Sequence, residues 1–229
     1  MNISIGSLLE GATQASGAVA IIDVFRAFTT AAVVLANGAS RIIMVSTVKE
    51  ALALRRRGVG QVCIGEVRGR APDGFDFDNS PFEVSKLDFA SKTIIQRTSA
   101  GTQGIVAASR AKSLYAASLV TAKATARVLA AAGERIVLVA LGKNGTERTD
   151  EDELCALHLR NLLQGRSGDP EAVRRLILAG GEIVRFNDPA RPHLHPEDVD
   201  IALDVDRHDF AVRVTTEDGL AVACVERTG

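Results

Sequence analysis

The sequence predicts an α/β protein: a three-layer α/β/α sandwich around a mixed, largely parallel sheet that includes a C-terminal β-hairpin. Short apolar runs alternate with helix-like patterns through the first two thirds of the chain, as expected of a parallel sheet between helices. The run 18–23 is apolar up to its final acid, like a strand buried on both faces. Segments 210–216 and 220–225 alternate around Asp218-Gly219, a pair that favours a hairpin turn.

Each element follows from a local signal. Gly38 lies where the helix 27–37 would end, a position that favours glycine because the backbone there is left-handed. Thr47 and Glu50 form a capping box, and Asp169-Pro170 supplies an N-cap followed by proline at the first helical position. In chain order we predict strand 18–23, helix 27–37, strand 41–45, helix 47–57, strand 62–65, a turn-rich segment 66–81, strand 93–97, a short helix after 102, strand 113–117, helix 121–132, strand 135–140, helix 151–164, a helix from 170, a surface loop 187–196 and the closing hairpin.

The composition suits a single domain over residues 1–229, or two closely packed lobes. Of the 229 residues, 46% are hydrophobic, which is enough for a sizeable core. Only 4% are aromatic and there is no Trp. The core must therefore be built from Ala, Val, Leu and Ile.

The sequence also argues against several partners. The net charge is −1 and no long basic tract occurs, so nucleic acid is not expected as a partner. The N-terminus has no leader pattern and the apolar stretches are too short to span a bilayer, so we expect no membrane association and a cytoplasmic location. Cys63, Cys155 and Cys224 are odd in number and widely spaced, which argues against disulfides. A weakly charged surface rich in Ala and Val permits a homo-oligomer.

Residues able to do chemistry follow four of the predicted strands. Asp23 ends the first strand, and Glu66 follows strand 62–65. The segment 98–102 follows strand 93–97, and Lys143 and the acids at 150–152 follow strand 135–140. Ligands of open α/β sheets bind beyond the carboxyl ends of the strands. The sequence therefore predicts a site at this edge of the sheet.

These residue types favour a magnesium ion and a phosphate ester. Carboxylate and hydroxyl oxygens without a Cys or His cluster are the ligands that suit Mg²⁺. A Ser/Thr/Gly turn ahead of a helix, as at 98–102, offers free backbone N–H groups to a phosphate. Arg26 can bind an oxyanion through two parallel hydrogen bonds. The expected substrate is a small anionic phosphate ester.

Five segments together resemble one family. They are 23–30 (DVFRAFTT), 65–66 (GE), 74–83 (GFDFDNSPFE), 98–102 (TSAGT) and 152–156 (DELCA). In the same order they are similar to the I-D-V-L-R-A-T-T-T, G-E, G-F-D-x-G-N-S-P-x-E, T-T-N-G-T and E-D-x-x-C-A-G segments of the 2-phosphosulfolactate phosphatases (ComB). The resemblance runs from about residue 2 to the C-terminal hairpin.

The resemblance implies a Mg²⁺-dependent phosphatase that converts 2-phospho-3-sulfolactate to 3-sulfolactate, a step toward coenzyme M. The chain departs from the family pattern at Asp78, where Gly is usual, and at Ser99-Ala100, which replaces Thr-Asn. Loss of that Asn amide bears on which acid group is recognised beside the phosphate. Two alternatives stay open: a phosphatase for another phosphorylated 2-hydroxy acid, such as phosphoglycolate or phospholactate, and a non-catalytic binder of phosphorylated or sulfonated metabolites.

Residue roles follow from the strand ends and the resemblance together. The predicted metal ligands are Asp23, Glu66 and Asp152; the predicted substrate-binding residues are Arg26, Asn79, Ser80, Thr98, Ser99, Gly101 and Thr102; the predicted catalytic residues are Asp23, Arg26, Asp76 and Cys155.

Several of these roles have a structural alternative. Asp23 would cap the next helix, Arg26 would pair with Asp23 or Asp152, and Cys155 would be a buried inert thiol. Glu151 is interpreted as a first-turn acid that complements the helix dipole. The nucleophile is left open between water, an aspartate and Cys155.

Overall fold

The computed structural model describes residues 1–133 and 135–227. The strands are β1 (Asn2–Ser7), β2 (Gly17–Ile22), β3 (Arg41–Met44), β4 (Val62–Gly65), β5 (Thr93–Arg97), β6 (Ala111–Ala117), β7 (Arg135–Ala140), β8 (Ala211–Glu217) and β9 (Leu220–Glu226). The helices are α1 (Leu8–Gln14), α2 (Ala27–Ala36), α3 (Val48–Arg56), α4 (Pro81–Ser85), α5 (Gly101–Ala107), α6 (Ala122–Ala132), α7 (Asp150–Leu163), α8 (Pro170–Leu178) and α9 (Pro196–Ala202), with 3₁₀ helices at Leu119–Thr121 and Glu182–Asn187. The strands form one sheet in the order β1-β7-β2-β6-β8-β9-β3-β5-β4.

The C-terminal hairpin lies in the middle of this sheet. β8 pairs antiparallel with β6, and β9 pairs antiparallel with β3. The pairings among the first seven strands are parallel. The hairpin therefore joins one parallel group, β1-β7-β2-β6, to a second, β3-β5-β4. The predicted mixed, largely parallel sheet is confirmed, and the central place of the hairpin is a new finding.

Successive residues of the buried strands point to opposite faces of the sheet. In β2, Val19 and Ile21 pack on one face, whereas Ala18, Ala20 and Ile22 pack on the other. The core on the first face includes residues of α1, α2, α4 and α5, and the core on the second includes residues of α6 to α9. α3 covers the second face beside β3, β4 and β5. The structure thus has the predicted three layers.

The local signals hold in the structure. Gly38, which follows the C-terminus of α2, has φ +94°, and Thr47 Oγ1 accepts a hydrogen bond from the N–H of Glu50. The Asp169 carboxylate accepts from the N–H of Glu171 at the start of α8. The sequence patterns left out β1, α1, α4 and α9, which are short elements without a strong period of their own.

The longest helix in the described residues is α7, with 14 residues. No helix there combines the length and apolar character that crossing a bilayer requires.

Candidate functional site

The carboxyl ends of β2, β4, β5 and β7 open into one cavity of about 580 Å³. In the sheet, four strands separate β2 from β5, yet the loops that follow these two strands meet. The residues that line the cavity are Asp23, Phe25, Arg26, Glu66, Arg68, Gly69, Arg70, Asn79, Ser99, Ala100, Gly142, Lys143, Asn144, Glu151, Asp152, Arg185, Asp188, Ala190, Arg191, His193 and Leu194. The strand ends singled out in the sequence therefore share one cavity.

Asp23 is buried at the end of β2. Its Oδ1 accepts a hydrogen bond of 3.0 Å from the N–H of Ala27, so it caps α2 as well as lining the cavity. Burial raises the pKa of Asp23 to about 6, and the nearby charge of Glu66 adds to the rise. A Cβ atom at position 101 would lie 3.0 Å from Asp23 Oδ2 and 2.6 Å from Ala27 Cβ. Gly101 therefore permits the close contact between the β2 and β5 ends.

Asp152 ties two strand ends together. Its Oδ1 accepts from the N–H of Val24 at 2.7 Å, and its Oδ2 accepts from the N–H of Gly142 at 2.8 Å. Burial, followed by the charges of Glu151 and Asp23, raises the pKa of Asp152 well above its ordinary value. Both carboxylate oxygens thus hold the backbones after β2 and β7 beside the cavity.

Glu151 belongs to the site, although its sequence position indicated only a first-turn acid that complements the helix dipole. It is 2% exposed and lines the cavity, and its Oε2 has no hydrogen-bond partner among the described residues. Burial raises the pKa of Glu151 to about 7. The only sequence feature that indicated a site role for Glu151 was its position after a predicted strand and directly before Asp152. Its burial could not be predicted from the sequence.

The acids fit a magnesium ion in their chemistry. In the described part of the chain, no three His, Cys, Asp or Glu side chains form a preassembled metal cluster. Mg²⁺ does not require one, because it commonly takes one or two carboxylates and keeps several waters. Asp23, Glu151 and Asp152 are carboxylates whose ionised forms are disfavoured by burial, and Glu151 Oε2 has no donor in the part of the chain that the structure describes. A cation beside Asp23 and Glu151 would compensate their charge.

Glu66, the third predicted metal ligand, has both carboxylate oxygens in hydrogen bonds. Oε1 accepts from the N–H of Ser99, and Oε2 accepts from Ser99 Oγ at 3.0 Å and from the N–H of Gly69 at 2.6 Å. Gly65 lets this happen, since its φ is +145° and a Cβ there would lie 1.9 Å from the carbonyl oxygen of Arg97. Glu66 therefore joins the β5 end to the turn at 67–70.

The turn at 98–102, which was predicted to bind the phosphate, only partly faces the cavity. Ser99 and Ala100 line it, but the Ser99 N–H donates to Glu66. Thr98 and Thr102 are buried and cap each other: each backbone N–H donates to the other hydroxyl, at 2.9 and 3.0 Å. The structure does not bring the Thr98 and Thr102 side chains to the cavity; they shape the start of α5.

Arg26 lines the cavity, but its guanidinium contacts protein. Nη1 lies 3.2 Å from Asp198 Oδ2 and Nη2 lies 3.6 Å from Asp78 Oδ1. The partners expected from the sequence, Asp23 and Asp152, are replaced by these two acids. Burial raises the pKa of Asp78 to about 6, although Arg26 opposes the rise.

The segment 78–80 is also divided between the cavity and the protein interior. Asn79 lines the cavity. Ser80 does not; its hydroxyl donates to Asp198 Oδ1 at 2.6 Å and accepts from the N–H of Glu83 as the N-cap of α4. Asp198 was missed from the sequence because it lies in the first turn of α9, more than a hundred residues from its partners.

Asp76 and Cys155 do not line the cavity. Asp76 Oδ2 accepts from the N–H of Cys63 and from Arg55 Nη1, both at 2.8 Å, so it stabilises the start of the β4 region. Cys155 is fully buried in α7, and burial raises the pKa of its thiol well above the ordinary value. A thiol held neutral inside the core is a poor nucleophile.

Basic side chains form much of the remaining cavity wall, and of these only Lys143 was predicted from the sequence. The others are Arg68, Arg70, Arg185 and Arg191. Arg185 Nη2 donates to the carbonyl oxygen of Phe25 at 3.3 Å, and its charge lowers the pKa of Asp23 and Glu151 against the effect of burial. The cavity thus places buried carboxylates and several cations around one space, which suits a polyanionic ligand together with a metal ion.

The chain resembles one family of known proteins over most of its length. The model of the family described as 2-phosphosulpholactate phosphatase matches residues 5–184. A Bacillus subtilis (strain 168) protein named probable 2-phosphosulfolactate phosphatase is 32% identical over 213 residues, 90% of each chain. A Thermotoga petrophila protein of the same name is 38% identical over 149 residues, 65% of this chain and 64% of that one. The family match contains the acids and strand ends of the cavity but ends before Arg185.

Proposed function

The chain belongs to the 2-phosphosulpholactate phosphatase family, a family of phosphoric monoester hydrolases, and we propose that it performs the Mg²⁺-dependent hydrolysis of 2-phospho-3-sulfolactate to 3-sulfolactate and phosphate. One observation carries the proposal beyond the family: buried acids and arginines line the same cavity. This substrate bears a phosphate, a carboxylate and a sulfonate, so its binding requires several cations. The reaction would be a cytoplasmic step of the coenzyme M type.

Asp23 and Glu151 are the residues that would hold the metal ion. When bound, Mg²⁺ supplies positive charge to the phosphoryl oxygens and lowers the pKa of water. The carboxylates of Asp152 and Glu66 do not need to contact the ion, because they hold the surrounding backbones through hydrogen bonds. Their role is to keep the strand ends in place around the reacting group.

The other cavity residues would bind and orient the ester. The Asn79 amide and the Arg185 guanidinium supply N–H donors on the cavity wall. Water is the nucleophile that the geometry favours over Cys155, which is closed off in the core. Its oxygen bonds to phosphorus, the bond between phosphorus and the ester oxygen breaks, and the two water protons go to the sulfolactate hydroxyl and the phosphate. Catalysis is then mainly positioning and charge stabilisation.

Phosphate release from racemic 2-phospho-3-sulfolactate tests the proposal. We expect release with Mg²⁺, loss of release after treatment with EDTA, and recovery when Mg²⁺ is added in excess. Phosphoglycolate and phospholactate under the same conditions test the substrate. Equal turnover of all three esters would contradict the assigned substrate, and full activity after exhaustive chelation would contradict the metal requirement.

A further inference from the structure

We propose that Arg68 and Arg70 form a second anion subsite, which binds the sulfonate of the substrate while the phosphate lies by the buried acids and their metal ion. The inference rests on the proposed function, since the sulfonate belongs to the same ester. It identifies the two residues that select a sulfonated ester over one that carries only a phosphate and a carboxylate.

The two arginines lie on a tight turn at the edge of the cavity. Val67 and Arg70 exchange backbone hydrogen bonds of 2.8 and 3.3 Å, and the two residues between them have positive φ, +53° for Arg68 and +87° for Gly69. Asn or Gly would adopt this backbone at position 68 with less strain than Arg. The turn chemistry alone therefore does not explain an arginine there.

The turn is held by residues of the strand ends. The N–H of Gly69 donates to Glu66 Oε2 at 2.6 Å, and the N–H of Arg68 donates to Ser99 Oγ at 3.1 Å. The carbonyl oxygen of Gly69 accepts from Arg26 Nη2 at 3.5 Å. Three contacts thus fix the turn backbone, and both arginines line the cavity from a defined position.

Arg68 and Arg70 are exposed at the cavity rim, and neither side chain is taken up in an ion pair within the described residues. Across residues 1–133 and 135–227, no acid lies within ion-pair distance of either guanidinium, and neither donates a side-chain hydrogen bond. The other cavity arginines differ, since Arg26, Arg185 and Arg191 each pair with an acid.

Arginine matches an oxyanion partner such as a sulfonate. Its planar fork donates parallel hydrogen bonds to two oxygens of one group, and it stays charged at every working pH. A sulfonate likewise stays ionised and offers three acceptor oxygens. The positive charge of Arg70 also helps to lower the pKa of His193 in the same cavity, after the larger effect of burial.

The test compares esters that differ only in the sulfonate. Arg68→Gln and Arg70→Gln, singly and together, are assayed on 2-phospho-3-sulfolactate and on 2-phospholactate, which lacks the sulfonate, at one pH and Mg²⁺ concentration. We expect KM for the sulfonated ester to rise about tenfold or more, as for a lost charged hydrogen bond. The value of kcat/KM for phospholactate should change less than about threefold. Arg110→Gln, exposed and away from the cavity, is the matched control.

Calorimetric binding of 3-sulfolactate to the wild type and the variants separates this inference from the hydrolase proposal. If the wild type binds 3-sulfolactate and the variants bind it about tenfold more weakly, the subsite stands even where no ester is hydrolysed. Equal binding by wild type and variants, or no binding by the wild type, overturns the subsite. A parallel loss with both esters overturns it as well, because the arginines would then act on the phosphate or on the fold.

Discussion

Nη1 of Arg26 lies 3.2 Å from Oδ2 of Asp198, and the two side chains are 4% and 0% exposed. The other oxygen of Asp198 accepts from Ser80 Oγ and from the N–H of Phe82. This pair therefore joins the loop after β2 to the first turns of α4 and α9. Arg26, whose sequence position suggested a phosphate ligand, holds the wall of the cavity in place.

Replacing Asp198 with Ala should destabilise the protein by about 3–5 kcal/mol. The change removes the nearer of the two acids beside the buried Arg26 and leaves the Ser80 hydroxyl and the Phe82 N–H without their acceptor. Urea unfolding followed by circular dichroism measures the loss. Asp204→Ala, which removes an exposed pair with Arg207, should cost no more than about 1 kcal/mol. An equal loss of unfolding free energy in the two variants would show that the buried pair stabilises the protein no more than an exposed one. Asp198→Asn, which keeps acceptors for Ser80 and Phe82, should lie between them.

Glu151→Gln should weaken Mg²⁺ binding at least about tenfold. A loss of this size already follows when a residue that only hydrogen-bonds a metal ligand is changed. The reason is that Glu151 is buried in the cavity wall and its Oε2 finds no donor among residues 1–133 and 135–227. Isothermal titration of the metal-free protein with MgCl₂ measures this directly. Asp150→Asn, an exposed acid one position earlier on α7, is the matched control and should bind Mg²⁺ like the wild type. Unchanged affinity in Glu151→Gln would remove Glu151 from the metal site.

Asp78 should make the metal-free protein less stable as pH rises from about 4 to about 6. The pKa of Asp78 is raised from 3.8 to about 6 in the folded state, mainly by burial. Between these values the folded protein keeps a proton that the unfolded chain has lost, so the loss of stability is complete above the folded pKa. Asp78→Asn should reduce the fall in unfolding free energy between pH 4 and pH 7 by about 2–3 kcal/mol.

Urea unfolding at both pH values, with a chelator present, checks the Asp78 effect. Asp73→Asn is the control, because Asp73 is an exposed acid in the same turn-rich segment. The same pH dependence in wild type and Asp78→Asn would contradict the burial of a costly charge at this position.

Cys155→Ser should keep kcat within about twofold of the wild type while lowering stability by about 1–3 kcal/mol, since a hydroxyl replaces a thiol in the core. The side chain is fully buried and its pKa is raised well above the ordinary value, so the thiolate does not form at working pH. Steady-state phosphate release and a thermal melt measure the two effects. A fall in kcat of several orders of magnitude, with the melt little changed, would instead identify the thiol as the nucleophile.

The local elements of the fold were readable from the sequence because their signals are local. The apolar run 18–23, Gly38 behind α2 and the Thr47 cap each act over a few residues, and each lies where the pattern predicted. For the site, the sequence predicted the location but not the contacts of each residue. The polar residues at four strand ends do line one cavity, because parallel strands direct their carboxyl ends to the same edge of the sheet.

The sequence by itself determined the alternation of strands and helices, the closing hairpin and the edge of the sheet where the site lies, since periodicity and turn chemistry are properties of neighbouring residues. Only the tertiary structure decided that the hairpin joins two parallel groups and that the loops after β2 and β5 meet. It also decided which polar groups are paired: Arg26 is paired with Asp198, whereas Glu151 Oε2 and the Arg68 guanidinium have no hydrogen-bond or ion-pair partner among the described residues. Burial and charge compensation depend on segments far apart in the chain, so no local pattern specifies them.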